Sequence, residues 1–284
     1  MKVQSFFVLF LLISTSVVYL SVPMVQADST ELWAVVVGVN GGDATHLDDD
    51  AMDFATALTS VYGYPSSNVK LLTNEEATKS AVLSALEWLD GQESSSDGVS
   101  IFFAAHGSED QLHLYDAYLS DSELSNAVSG LESESVFVGV VACHSGSFLD
   151  VADSFSHGVL VTACAANEST YDLGYYGNTI FGEYFVDQGM LNKSMPADAN
   201  GDNMTTVEEA FYYAYDVCAN DPPGALSPTH PQMADKYPSE SDNDFDLYLQ
   251  APFANPWFTS LPLILLATVA VLTYLRKKRN KTPK

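Results

Sequence analysis

Five short apolar segments, alternating with helical patterns, constrain this chain more than any other feature. Leu32–Val39, Val69–Leu72, Val99–Ala105, Ser135–Ala142 and Gly158–Cys164 are rich in Val, Ala or Phe and bounded by Gly, Ser, Asp or Asn. At that length and with those flanks they read as buried strands. Between them, Asp48–Tyr62, Thr78–Asp90 and Asp121–Leu131 space their apolar residues as helices do. In the last, Asp121 precedes Leu124, Ala127, Val128 and Leu131, the pattern of a capped amphipathic helix. Such alternation predicts a mostly parallel sheet with helices on both faces, and residues 28–256 suffice for one sizeable domain. In these sheets reactive groups gather at the carboxyl ends of strands.

Three of the expected strands run into reactive or turn-forming residues: Asn40-Gly41-Gly42, His106-Gly107, and Cys143. Cys143 sits where the apolar run Val140-Val141-Ala142 gives way to His144-Ser145-Gly146-Ser147. A thiolate nucleophile needs exposure at a strand end and backbone N–H groups to receive an oxyanion. His106 ends its own apolar run in the same manner, and Gly107 can offer an N–H with no side chain in the way. Taken singly, a buried inert thiol and a surface histidine account for each residue. Together, each at a strand end and followed by small residues, they point to a cysteine nucleophile with a histidine partner.

These blocks resemble the legumain (asparaginyl endopeptidase) branch of the caspase-like cysteine peptidases. Trp33-Ala34-Val35-Val36-Val37 with Asn40-Gly41 resembles that family's first strand and loop, and His106-Gly107-Ser108 its histidine block. Ala142-Cys143-His144-Ser145-Gly146-Ser147 resembles its cysteine block. Thr162-Ala163 and Ala166–Tyr171 resemble the strand and loop that line the substrate. The resemblance implies a caspase-like α/β/α sandwich and an acyl-enzyme mechanism. Cys143 attacks the carbonyl, His106 protonates the leaving amine, and the N–H groups of Gly107 and Cys143 receive the oxyanion. It also implies that Asn40 orients the histidine, although Asn-Gly-Gly reads equally as a turn. Ala163 and Ser169 would contact substrate. At the specificity pocket the chain departs from the family. His46-Leu47 stand where an Arg-His pair is expected, and Val141 replaces an acidic residue, so cleavage after Asn does not carry over. Asp48, Asp49, Asp50 and Asp53 read either as recognition of a basic side chain or as a helix's first turn. Protein or peptide substrates follow. Two alternatives stay open: a transamidase of the same clan, and a non-catalytic surface protein on this scaffold.

Asp198 to Glu209 fits the twelve-position EF-hand loop, with Asp198, Asn200 and Asp202 at positions one, three and five. The Met204 carbonyl falls at seven and Glu209 at twelve. Asn203 replaces the usual Gly at six, and asparagine tolerates the positive φ required there. A structural Ca2+ is therefore expected; no organic cofactor is.

The ends predict a location. Lys2, the apolar stretch Phe6–Leu20 and Val25-Gln26-Ala27 read as a signal peptide over residues 1–27. Residues 257–275 carry no charge and would span about 28 Å as a helix, close to a bilayer's hydrocarbon thickness. The basic tail 276–284 then predicts a cytoplasmic C-terminus. The expected organisation is a single-pass type I protein of the cell membrane. Its extracytoplasmic peptidase domain covers 28–220, and a C-terminal wrap or stalk covers 221–256. All 37 acidic residues lie between 28 and 256, beside only Lys70, Lys79, Lys193 and Lys236. That balance excludes a nucleic-acid role, because phosphate binding needs Lys and Arg. Of the three cysteines, Cys164 and Cys218 are left as a possible disulfide pair.

Overall fold

The computed structural model describes residues 30–192, 197–237 and 245–247. The expected leader, apolar C-terminal segment and basic tail lie outside these residues. Among the described residues no helix is long and apolar enough to cross a membrane.

Strand β1 (Leu32–Val39) pairs in parallel with β2 (Val69–Thr73) on one side and β3 (Gly98–Ser108) on the other. A short antiparallel flap follows, β4 (Gln111–His113) against the end of β3, and β5 (Tyr118–Ser120) against β4. Strands β6 (Ser135–Val141) and β7 (Gly158–Thr162) extend the parallel sheet beyond β3. The chain then forms a two-stranded hairpin, β8 (Asp172–Leu173) and β9 (Asn178–Thr179). It returns as β10 (Gln232–Asp235), antiparallel to β7, to give the order β10-β7-β6-β3-β1-β2.

Period-two alternation sorts the strand residues onto two faces. Ala34, Val36, Phe102 and Ala104 face one layer; Val35, Val37, Ile101 and Phe103 face the other. The helices are α1 (Leu47–Ser60), α2 (Lys79–Asp90), α3 (Asp121–Val128), α4 (Ile180–Gly182, continuing as a π-type segment over Glu183–Leu191) and α5 (Val207–Asn220). Helices α1, α4 and α5 cover the first face; α2, α3 and a 3₁₀ segment Ser145–Ser154 cover the second. Under α1, Phe54 stacks on Phe102 at 4.4 Å between ring centres. Fully burying such a ring contributes about 1.5–3 kcal/mol. Thr78 caps α2 by accepting from Ala81 N–H, and Ser120 with Glu123 forms a capping box on α3.

Three elements differ from expectation. The third strand runs on through His106 to Ser108 because β4 supplies backbone partners, so His106 stands inside a strand instead of beyond its tip. Helix α3 stops at Val128, three residues short of Leu131. The expected wrap contains the edge strand β10, and further on Phe245 and Leu247 are buried beside Leu32 and Tyr64 at the amino end of the sheet. The described parts of 221–256 thus belong to the domain.

Candidate active site

Strands β3 and β6 bring the histidine and the cysteine together. Their register pairs Ala104 with Val141, both facing α1. Two residues further on, on the same face by the strand period, stand His106 and Cys143. Both line one cleft of about 400 Å³ at the carboxyl end of the sheet, with Leu47, Ser169, Thr170 and Asp172. Cys143 is half-buried, its Sγ 3.8 Å from the Thr170 carbonyl. His144 takes the left-handed conformation (φ 60°), uncommon for a residue with a side chain, and turns the chain sharply after the thiol. Its N–H donates to Glu168 O and its ring bonds Ala166 O, both at 2.8 Å. His144 therefore ties the cysteine turn to the loop after β7.

The His106 imidazole donates from Nε2 to the Gly41 carbonyl at 2.5 Å. Nδ1 of the neutral ring is then its proton acceptor. This corrects the role expected of Asn40. Asn40 Oδ1 accepts from Leu47 N (2.8 Å) and Asp48 N (3.1 Å), and its Nδ2 donates to Asp48 Oδ1. Asn40 shapes the β1–α1 turn, while its neighbour's carbonyl holds the histidine. Gly107 packs against the cysteine turn so closely that a Cβ would lie 2.3 Å from Cys143 O. No other residue fits there. Nearby His113 has its pKa lowered by burial and, secondarily, by His106, whose ring lies 6.5 Å away.

Of the residues expected to contact substrate, Ser169 lines the cleft, whereas Val141 and Ala163 do not. Both are fully buried in the core under α1. Val141 shares the face of Cys143 but lies two strand residues deeper, about 6–7 Å away. His46 stands beside the cleft, with Nδ1 2.8 Å from Asp172 Oδ1. Asp172 also accepts from the N–H groups of Thr45 and His46, which fixes its carboxylate at the rim. Asp48, Asp49 and Asp50 form the first turn of α1, and Asp50 is wholly buried one layer under the cleft. Its Oδ1 accepts from the N–H of Thr179, itself a lining residue, while Oδ2 has no partner. Burial, with Asp187 and Asp172 adding to it, pushes the Asp50 pKa well above the usual carboxylate range.

Among the described residues no lysine or arginine lines the cleft. Among the described residues Lys70 lies over Trp88, Lys79 pairs with Glu123, and Lys236 pairs with Asp153, all away from it. Asp172 escaped the sequence reading by one position, since the resembling loop ended at Tyr171. Thr179 arrives through the β8–β9 hairpin, which no sequence signal announced.

All three cysteines are free, so Cys164 and Cys218 form no disulfide. Both are buried; burial raises the Cys164 thiol and pushes Cys218 up to about 12. Far from the cleft, the 198–209 loop folds around its own oxygens. Asp198 accepts from Gly201 N and Asn203 N, Asn200 from Asp202 N, and Asp202 from Met204 N. Asn203 takes the left-handed conformation (φ 69°). Buried Glu209 accepts from Asn200 N and Thr206 N as the α5 capping residue. Among the described residues no three His, Cys, Asp or Glu side chains converge closely enough to hold a metal. A cation here would therefore need the Asn200 and Met204 oxygens too. That mixed oxygen set, with each bonded carboxylate oxygen keeping a lone pair, fits calcium.

Comparisons with known proteins agree with this architecture. The chain is 25% identical over 201 residues to Metacaspase-1B of Aspergillus fumigatus and, to the same extent, to Metacaspase-1B of Neosartorya fischeri. These matches cover 58% of this chain and 49% of each relative, so the chain spans about half the length of the curated relatives it matches. Caspase-1 from Spodoptera frugiperda superposes with a TM-score of 0.54 at 10% identity, over 74% of this chain and 88% of that one. A protein of Geobacter sulfurreducens superposes with the same score at 16% identity, over 72% and 92%. At those identities the superpositions establish the caspase-like fold alone. The model of the Peptidase C13 family matches residues 70–220, a span that includes both His106 and Cys143. With more than half of its length matched, the chain belongs to the Peptidase C13 family.

Proposed function

We propose that the chain is a cysteine endopeptidase that cleaves after a basic residue. The observation that carries this is the cleft itself: a cysteine and a histidine open into a space lined by Asp43 and Asp172, with Asp50 beneath it and, among the described residues, no lysine or arginine in its lining. Cys143 loses its proton to His106 Nδ1 and attacks the scissile carbonyl, giving a thioester as the amine leaves with the proton held by His106. Water then attacks the thioester, His106 takes its proton, and the acid product departs. The backbone N–H groups of Gly107 and Cys143 receive the oxyanion. An arginine or lysine side chain next to the scissile bond meets Asp172 at the rim and draws Asp50 into its ionised form. The test is a panel of peptides with Arg, Lys, Asn or Asp before the scissile bond, given to the wild-type chain and to Cys143→Ala. Arg and Lys peptides cleaved at least tenfold faster by wild type alone support the reading; preferred cleavage after Asn overturns it.

The 198–209 loop supports a second, structural component. We infer that Asp198, Asn200, Asp202, the Met204 carbonyl and Glu209 hold a calcium ion that steadies the start of α5. Calcium should raise the midpoint of thermal unfolding and a chelator should lower it, both effects disappearing in Asp198→Ala. A midpoint insensitive to calcium removes the ion from the account. The expected signal peptide, membrane helix and type I orientation remain part of this proposal. Protease protection of the tail in sealed vesicles is the measurement that checks them.

A further inference from the structure

The turn that presents Cys143 is held from outside itself. Its His144 stands in the left-handed region, a conformation that persists only where surrounding contacts impose it. Those contacts come from one loop, residues 165–168, whose Glu168 and Ala166 carbonyls bond the His144 N–H and ring. Gly146 is pressed against the same loop, since a Cβ there would lie 2.5 Å from Ala166 N. The loop is tied in turn to the segment that enters β10. The Glu168 carboxylate accepts from Ala165 N (3.3 Å) and twice from His230, at Oε2 from the backbone N–H (2.8 Å) and at Oε1 from Nδ1 (2.6 Å). An ionised carboxylate only accepts, so Nδ1 carries the proton. Burial raises the Glu168 pKa, but the bonds from His230 and Ala165 outweigh it and hold the carboxylate below its ordinary value. The same segment reaches the turn directly, because Gln232 Oε1 would lie 2.5 Å from a Cβ at Gly146. His230 lies outside residues 70–220, the span that the family model matches, and neither it nor Glu168 lines the cleft.

We propose that His230 is a positioning residue for catalysis: through Glu168 it holds the loop that fixes the Cys143 turn. The proposal rests on the endopeptidase reading above. The chain of contacts runs from the His230 imidazole to the Glu168 carboxylate, and from the Glu168 carbonyl to the His144 N–H. It ends at the thiol and at the Cys143 N–H that receives the oxyanion, two groups whose aim decides the rate. His230 touches neither substrate nor thiol, so its side chain acts on the acylation step and not on peptide binding.

Two variants of the full chain test the side chain apart from the backbone bond. His230→Ala keeps the N–H that binds Oε2 and loses the imidazole; His230→Asn puts an amide donor back near the place of Nδ1. For the peptide that wild type cleaves fastest, His230→Ala is expected to lower kcat about tenfold with KM unchanged, and His230→Asn to recover most of the loss. Alkylation of Cys143 by iodoacetamide, which needs no peptide, should slow in the same order. His230 is half exposed and such an ion pair adds little to stability, so the midpoint of thermal unfolding should move by no more than about 3 °C. Unchanged kcat and alkylation in His230→Ala overturns the proposal. So does a loss confined to KM, a loss that His230→Asn does not recover, or a midpoint that falls further along with activity. The peptidase reading fails separately: a wild-type chain that cleaves no peptide loses that assignment, while the alkylation rates still decide whether His230 holds the turn.

Discussion

The two faces of the sheet are covered by helices of similar number but different content. Under α2 and α3 the core is Val35, Val37, Ile101, Phe103, Val138, Val140 and Leu86, without a charged side chain among them. The buried carboxylates on that side, Glu93 and Asp97, sit in loops and accept backbone N–H groups. Under α1, α4 and α5 the apolar core is interrupted by helix-borne Asp50, Glu183, Glu208 and Glu209, each less than a tenth exposed. Burying a carboxylate is costly unless it is paired or neutral. The face that bears His106 and Cys143 thus carries buried ionisable groups on its covering helices, each with a hydrogen-bond partner, and this division between the faces is open to direct attack.

The largest effect is expected on the apolar face. Phe103→Ala should destabilise by about 3–5 kcal/mol in urea unfolding while leaving the ranking of peptide substrates unaltered. A changed ranking would mean that the faces are not separable. On the other face Asp50→Asn keeps an acceptor for Thr179 N–H but removes the carboxyl group that a bound basic side chain would ionise. The kcat/KM for arginine peptides should fall roughly ten- to hundredfold, with stability unchanged or raised. If arginine peptides are cleaved as before, Asp50 has no part in recognition. Glu208 tests the cost of burial through pH. Burial raises its pKa from 4.5 to about 7. Being raised, it contributes stability fully below the unfolded pKa, and that contribution is lost as pH rises through about 7. Glu208→Gln should therefore lose less stability than wild type between pH 4.5 and 8, by about 1–3 kcal/mol in paired thermal scans. Parallel pH profiles would show that Glu208 does not titrate this way. Smallest is Ser120→Ala, which removes one arm of the α3 capping box for about 1 kcal/mol and should leave catalysis untouched.

Much of the frame was legible because it is local. The first strand appears as read, over Leu32–Val39, and Lys79–Asp90 follows its Thr78 cap as the pattern requires. The pair His106 and Cys143 was legible because both lie at the carboxyl end of neighbouring strands. What was not legible depends on partners far away in sequence. Gly107-Ser108 reads as the end of a strand, and only the arrival of β4 prolongs it. Gln232–Asp235 holds no β-branched residue and becomes a strand because β7 offers an open edge. Asp50 reads as a favourable first-turn carboxylate. Nothing local says that Thr179 and α4 will close over it. Asn40 shows the reverse error, in which resemblance suggested a catalytic contact and the plainer turn reading prevailed.

The unequal setting of the three thiols makes the chain chemically addressable. Cys164 and Cys218 are sealed in the core and held protonated by burial, while Cys143 alone reaches solvent. A soft electrophile offered to the folded chain thus finds one sulfur. One label per molecule becomes a count of intact catalytic clefts, and extra labels report unfolding.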